Sequence, residues 1–169
     1  IIIGNHDTYY KNTNEVNALQ NLNISKDAKI YTRPDTVNFD GLDILFLPWI
    51  CDDNHDDSIY AIDNSTTTIA MGHLEVKGFE MHKGHFNDQG LEKTQFNKFE
   101  KVLSGHFHKK SDDGRIYYLG TQYEITWSDY KCPKGFHIFD TDTRELERVP
   151  NPIRMYKKLY YNDKETNYS

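Results

Sequence analysis

The sequence predicts an α/β domain, and three observations lead there. Short, largely apolar runs of strand length, carrying Ile, Leu, Phe or Met, recur at residues 1–3, 43–47 and 67–71. Stretches with apolar residues at helical spacing lie between them, as at Val16, Leu19 and Leu22. Several runs stop at Gly or Pro, the punctuation of a strand passing into a loop. With 169 residues, 37% of them hydrophobic, the chain holds one domain's worth of sequence and enough apolar surface to bury a core.

In chain order, residues 1–3 are β-branched and wholly apolar, a strand buried on both faces, followed at once by Gly4-Asn5-His6-Asp7. A chain that opens inside a core strand is expected to have residues upstream. Residues 14–22 predict a short amphipathic helix. Residues 29–31 and 36–39 predict strands around Arg33-Pro34-Asp35, and Asp40-Gly41 is a hairpin turn signal. Residues 43–47 form a strand ending at Pro48-Trp49, and the acidic stretch 52–64 contains a helix over 56–62. The strand at 67–71 runs into Gly72-His73. Residues 74–90, with three Gly, read as a long loop, and Leu91, Phe96 and Phe99 place a helix over 91–100. The strand at 101–104 ends in Gly105-His106-Phe107-His108. Strands follow at 115–119, 123–127, 136–139 and 145–149, with Asp112-Asp113-Gly114 as a turn. Residues 1–152 are therefore the domain. Residues 153–169, basic and Tyr-rich (Arg154, Tyr156, Lys157, Lys158, Tyr160, Tyr161), are an exit segment or connector.

Composition excludes some classes. No apolar run approaches the roughly 20 residues that span a bilayer, and no charged-then-apolar leader opens the chain. A membrane protein is not expected. Cys51 and Cys132 make neither a disulfide framework nor a zinc spacing, which fits a reducing cytoplasm. A net charge of −6 argues against coating nucleic acid by electrostatics alone, but not against an enzyme that holds phosphodiesters through bound cations.

The chemistry lies at the strand ends. Gly4-Asn5-His6-Asp7, Gly72-His73 and Gly105-His106-Phe107-His108 each follow an apolar run, and ligands collect beyond the carboxyl ends of strands in open α/β sheets. Imidazole nitrogens and an amide oxygen suit borderline divalent ions such as Mn, Fe or Zn. His106 and His108, two apart, fall on one face of an extended backbone and could serve neighbouring ions. A lone Gly-His is common and says little. Gly-Asn-His-Asp behind an apolar strand, with the other two in this order, says far more. Elsewhere the plainer readings are favoured: His82 and His85 as loop histidines, His55 among Asp52, Asp53, Asp56 and Asp57 as a wet acidic stretch, His137 as a strand residue, and Trp127 with Tyr123 and Tyr130 as core.

On these stretches, together with Leu103-Ser104-Gly105-His106-Phe107-His108, Tyr118-Leu119-Gly120-Thr121, Thr126-Trp127-Ser128-Asp129-Tyr130 and Lys134-Gly135-Phe136-His137-Ile138, the chain resembles the calcineurin-like metallophosphoesterases. Within them it resembles the SbcD-type and phage recombination nuclease subunits. The likeness runs to about Pro152. It implies a two-sheet β-sandwich flanked by helices, here without the first core strands. It implies Asn5, His73 and His106 as ligands of one metal and His108 as a ligand of a second. His6 becomes the catalytic histidine at the leaving oxygen, oriented by Asp7. Tyr9, Tyr10 and Phe107 are candidate substrate contacts. The implied reaction is hydrolysis of a DNA phosphodiester clamped between two divalent ions roughly 3.5–4 Å apart, manganese first, with magnesium, iron or zinc as alternatives. An SbcC-type ATPase subunit is the implied partner, and the cytoplasm of a bacterium or phage-infected cell the implied location.

The family's Asp-x-His and Gly-Asp motifs, expected upstream of Gly4-Asn5-His6-Asp7, do not precede it in this sequence. At most one ion is then well held, and the chain alone is expected to be weak or inactive. Missing neighbours beside residues 1–3 would leave an open apolar edge and favour self-association. A phosphatase or cyclic-nucleotide phosphodiesterase of the same superfamily, and a non-catalytic DNA- or partner-binding module, remain as alternatives.

Overall fold

A computed structural model of the chain describes residues 1–22, 28–82 and 84–160. Its centre is a six-stranded sheet in the order β1-β2-β3-β6-β8-β7: Asp35–Phe39 (β1), Leu42–Leu47 (β2), Ile69–Gly72 (β3), Lys101–Ser104 (β6), Ser111–Asp112 (β7) and Ile116–Tyr118 (β8). The four inner strands β2, β3, β6 and β8 are parallel, and each edge strand is the antiparallel arm of a hairpin. Parallel strands need crossover connections and bury both faces, which is why the predicted runs are nearly continuous in apolar residues. β2 shows how both faces fill. Ile44 and Phe46 join Tyr31, Leu42 and Ile69 on one side, while Leu45 and Leu47 join Ala70, Val102, Ile116 and Tyr118 on the other. The β1–β2 turn is the predicted one, with Asp40 and Gly41 both at positive φ (50° and 91°), as a two-residue primed turn requires.

The second cluster is closed by Ile62 of His55–Asn64 (α1) and by Phe96 and Phe99. α1 carries Asp56 and Asp57 in its first turn, where the helix dipole favours them. The first cluster receives Phe139 from a separate two-stranded hairpin, Lys134–Phe139 (β9) with Leu146–Asn151 (β10). A second small hairpin, Glu80–His82 (β4) with His85–Phe86 (β5), lies within the stretch expected to be loop. The result is a mixed α/β architecture with a multi-strand sheet and few helices.

Several expected elements take other forms. The helix over 14–22 is only a 3-10 turn, Ala18–Asn21, because Asn17 caps Gln20 N–H and Asn14 spends its amide on the carbonyls of Thr32 and Trp49. Val16 and Leu22 are exposed rather than core-facing. The helix over 91–100 is likewise a 3-10 turn, Lys93–Phe96: the Leu91 carbonyl that an α-helix would offer to Gln95 N–H accepts from Lys77 N–H instead, and Gln95 N–H turns to the Glu92 carbonyl. Residues 123–127 are not a strand. Their Glu124 is buried and its carboxylate accepts backbone N–H bonds from Lys131, Met155 and Tyr156, which bends the segment around it. Residues 1–3 form one parallel bridge to Tyr31 instead of a core strand. Ile3 N–H donates to Tyr31 and the Ile3 carbonyl accepts from Trp49, so the expected open edge is already partly bonded. Of the exit segment, residues 153–160 are described and dock back: Tyr156 stacks on Trp127 at 4.6 Å and Arg154 donates to the Cys132 carbonyl. Tyr161 and the rest of that segment lie outside the described residues. Among the described residues no helix is long and apolar enough to cross a membrane.

Candidate metal centre

Parallel strands deliver their carboxyl ends, and the loops behind them, to one edge of the sheet. β3 ends in Gly72 and hands on His73, β6 ends in Ser104 and hands on Gly105-His106-Phe107-His108, and the neighbouring β2 runs out into Pro48-Trp49. The ladder continues past the strands through His73 N–H to the Leu47 carbonyl (3.0 Å) and Gly105 N–H to the Gly72 carbonyl (2.9 Å). The Ile3–Trp49 bond, 2.8 Å, brings the Gly4–Asp7 loop to the same edge.

There the amide oxygen of Asn5 meets both rings: Asn5 Oδ1 lies 2.9 Å from His73 Nε2 and 3.3 Å from His106 Nδ1. Donors about 2.1 Å from a common ion sit about 3.0–3.4 Å apart in octahedral or tetrahedral arrangements, so these separations match those of adjacent ligands. The rings are also in the right protonation state. Burial, then the nearby His106 and His6, pull the His73 pKa down to about 4. Burial, then His6 and His108, lower that of His106. Both are neutral at pH 7 and keep a lone pair. Among the described residues no three His, Cys, Asp or Glu gather closely enough to hold an ion, so the amide oxygen is what completes the trio. The trio fits a divalent cation, with no carboxylate of its own to offset the charge.

The surroundings hold these rings in place. A Cβ on Gly4 would lie 2.8 Å from His73 Cε1, and one on Gly105 would lie 3.0 Å from His73 Nδ1, so two glycines make the slot for one imidazole. The Trp49 ring lies 5.1 Å from His106 and 6.2 Å from His73, forming an apolar wall. His106 itself has φ +83°, a conformation that side-chain-bearing residues rarely adopt. Gly4→Ala is expected to displace His73 and weaken Mn²⁺ binding by at least about 10-fold while the fold persists. Titration calorimetry beside circular dichroism checks this; unchanged affinity would show that the slot is not needed.

The neutral histidines also set a pH dependence. Their pKa values are depressed in the folded chain, so the unfolded chain takes up protons first as pH falls from about 6.5. Stability is full above that pH and is lost on the way down through about 4. His73 alone accounts for on the order of 3 kcal/mol. The urea midpoint should fall between pH 7 and pH 4.5, and His73→Ala should flatten that slope.

Other predicted residues fall variously. His6 is exposed and lines, with Asn5, His73, His106 and His108, a hollow of about 340 Å³. Asp7 does not reach the His6 ring as expected. Its Oδ2 accepts Gly4 N–H at 2.8 Å and closes the loop that carries His6. Phe107 borders the same hollow but is only 4% exposed, with its ring packed 4.4 Å from Tyr118. Tyr9 and Tyr10 are exposed and meet edge to face at 4.8 Å. Trp127 and Tyr123, expected in the core, are about half exposed.

His108 rests on residues that sequence reasoning missed. Its Nδ1 lies 3.3 Å from Asp129 Oδ2, and Asp129 Oδ1 accepts from Lys134 Nζ at 2.8 Å. Burial opposes the charge on Asp129, yet Lys134 and the amides of Thr126 and Ile125 outweigh it and hold the pKa at about 2. Trp49, Asp129 and Lys134 lie far in sequence from the histidines they contact; Asp129 and Lys134 fall within stretches that carry the resemblance, but no spacing tied them to His108.

No protein-family model matches the chain. Over 162 residues, 95% of the chain, it is 37% identical to exonuclease subunit 1 of Enterobacteria phage T4, covering 47% of that protein. Over 105 residues, 58% of the chain, it is 25% identical to the SbcD subunit of the SbcCD nuclease of Staphylococcus saprophyticus, covering 28% of it. The chain thus spans about half or less of the relatives it matches. In these stretches and in the order of its motifs, the chain is similar to an exonuclease subunit and to an SbcD-type nuclease subunit.

Proposed function

We propose that the chain carries part of the metal centre of a DNA nuclease of recombination and double-strand-break repair, hydrolysing phosphodiester bonds. The observation that carries this reading is the convergence of Asn5, His73 and His106, from three separate segments, within 3.3 Å. Asn5, His73 and His106 would hold one divalent ion and His108 would contribute to a second, manganese being the first choice. When bound, the ions would supply Lewis-acid activation of the attacking water and neutralise charge on the phosphate.

The chain's own residues do the rest. His6, exposed on the rim of the same hollow, is positioned to give a proton to the leaving oxygen, and Asp7 fixes the loop on which it rides. Tyr9 and Tyr10 offer exposed rings against which a sugar or base could stack. The wider reading includes the metallophosphoesterase two-sheet architecture for residues 1–152, DNA as substrate, an SbcC-type ATPase as partner and a cytoplasmic setting. It is supported by the likeness to an exonuclease subunit and to the SbcD subunit of SbcCD.

The test uses a polypeptide that carries these 169 residues behind Asp-x-His and Gly-Asp motifs of the family type. Mn²⁺-dependent release of nucleotides from end-labelled duplex DNA, lost on His6→Ala, is the expected result. Binding of DNA without cleavage would overturn it in favour of a non-catalytic module, and hydrolysis of small phosphate esters alone would favour a phosphatase.

A further inference from the structure

His108 is gripped from two directions by one buried ion pair. Asp129 and Lys134 have side chains 5% and 1% exposed, a depth at which charged residues are found only when paired. Asp129 Oδ2 accepts N–H bonds from Ile125 and Thr126, each at 3.0 Å, and faces His108 Nδ1; its Oδ1 takes Lys134 Nζ. Lys134 Nζ donates in turn to the His108 carbonyl at 2.8 Å, which also accepts Thr121 N–H at 3.1 Å. Gly120, at φ +74°, is required here, because a Cβ would lie 3.1 Å from that carbonyl oxygen and 2.9 Å from Lys110 N. The ring and the backbone of one histidine are thus tied to the same carboxylate–ammonium unit.

We propose that Asp129 and Lys134 are a positioning pair that sets the tautomer and direction of His108. A carboxylate at Nδ1 holds the proton on that nitrogen and leaves the lone pair on Nε2, on the opposite edge of the ring. Nε2 is the only nitrogen of His108 then able to bind an electrophile, and the ring borders the hollow shared with His106. Lys134 keeps the carboxylate ionised and fixes the main chain from which the ring projects. The role rests on the reading of His108 as a metal ligand, but the tautomer does not depend on any metal.

The experiment is long-range ¹H–¹⁵N correlation of the histidine side chains at fixed neutral pH, without metal. The native chain is expected to show His108 with a pyrrole-type Nδ1 and a pyridine-type Nε2. Asp129→Ala should exchange the two, with the backbone spectrum otherwise retained, and Asp129→Glu should restore the native pattern in part. An Nε2–H ring in the native chain overturns the proposal whether or not any variant folds, and so does a native pattern that survives in a folded Asp129→Ala. Adding Zn²⁺ separates the underlying reading: an Nδ1–H ring whose Nε2 shows no coordination shift keeps the positioning pair and removes His108 from the ligand set.

Discussion

His106→Gly is expected to abolish metal binding while leaving the protein at least as stable as before. His106 has φ +83°, where a Cβ costs roughly 1–2 kcal/mol and glycine costs almost nothing. A position that asks for glycine yet carries an imidazole keeps that side chain for what it contacts, and this one contacts Asn5 Oδ1 and the Trp49 ring. His106→Ala separates the two effects. Both variants should lose Mn²⁺ affinity by at least about 100-fold, since even outer partners of a ligand can account for that much. The glycine variant should be more stable than the alanine variant by about 1 kcal/mol, because only glycine relieves the backbone. Urea midpoints and calorimetric titrations on the same preparations check both. A glycine variant less stable than the alanine variant would mean that the positive φ carries no strain.

Lys134→Met is expected to cost about 3–5 kcal/mol, the largest stability change among single substitutions at the site. The methionine fills much of the same space, so the loss is electrostatic. Asp129 would be left 5% exposed without its counter-ion, still facing His108. The carboxyl should then escape by taking up a proton, so the penalty should shrink as pH falls toward the ordinary carboxylate range. Asp129→Asn with Lys134→Met, which removes both charges, should recover part of the loss. Equal instability of the single and double variants would assign the cost to packing.

What the sequence made legible were features with local causes. β2 was readable because Ile44 to Leu47 are apolar at every position, as a strand buried on two faces must be. The Asp40-Gly41 turn was readable because both residues tolerate positive φ. Asn5, His73 and His106 were readable as a set because each follows a strand-like run. The failures had non-local causes. Phe96 and Phe99, three apart, fit 3-10 spacing as well as an α-helix, and the Lys77 N–H bond to the Leu91 carbonyl decided between them. Glu124 bends a segment of strand-like composition because it gathers three N–H groups, two of them from residues about thirty positions on. The Asp129–His108 contact spans 21 residues and leaves no periodic trace.

Asn5, His73 and His106 are expected to form one cation site, and Mn²⁺ titration calorimetry on the 169-residue chain tests this most directly, with His73→Ala as the paired control. One saturable event per chain, lost in the variant, is the predicted result. No saturable binding by the native chain, or equal binding by His73→Ala, would contradict it.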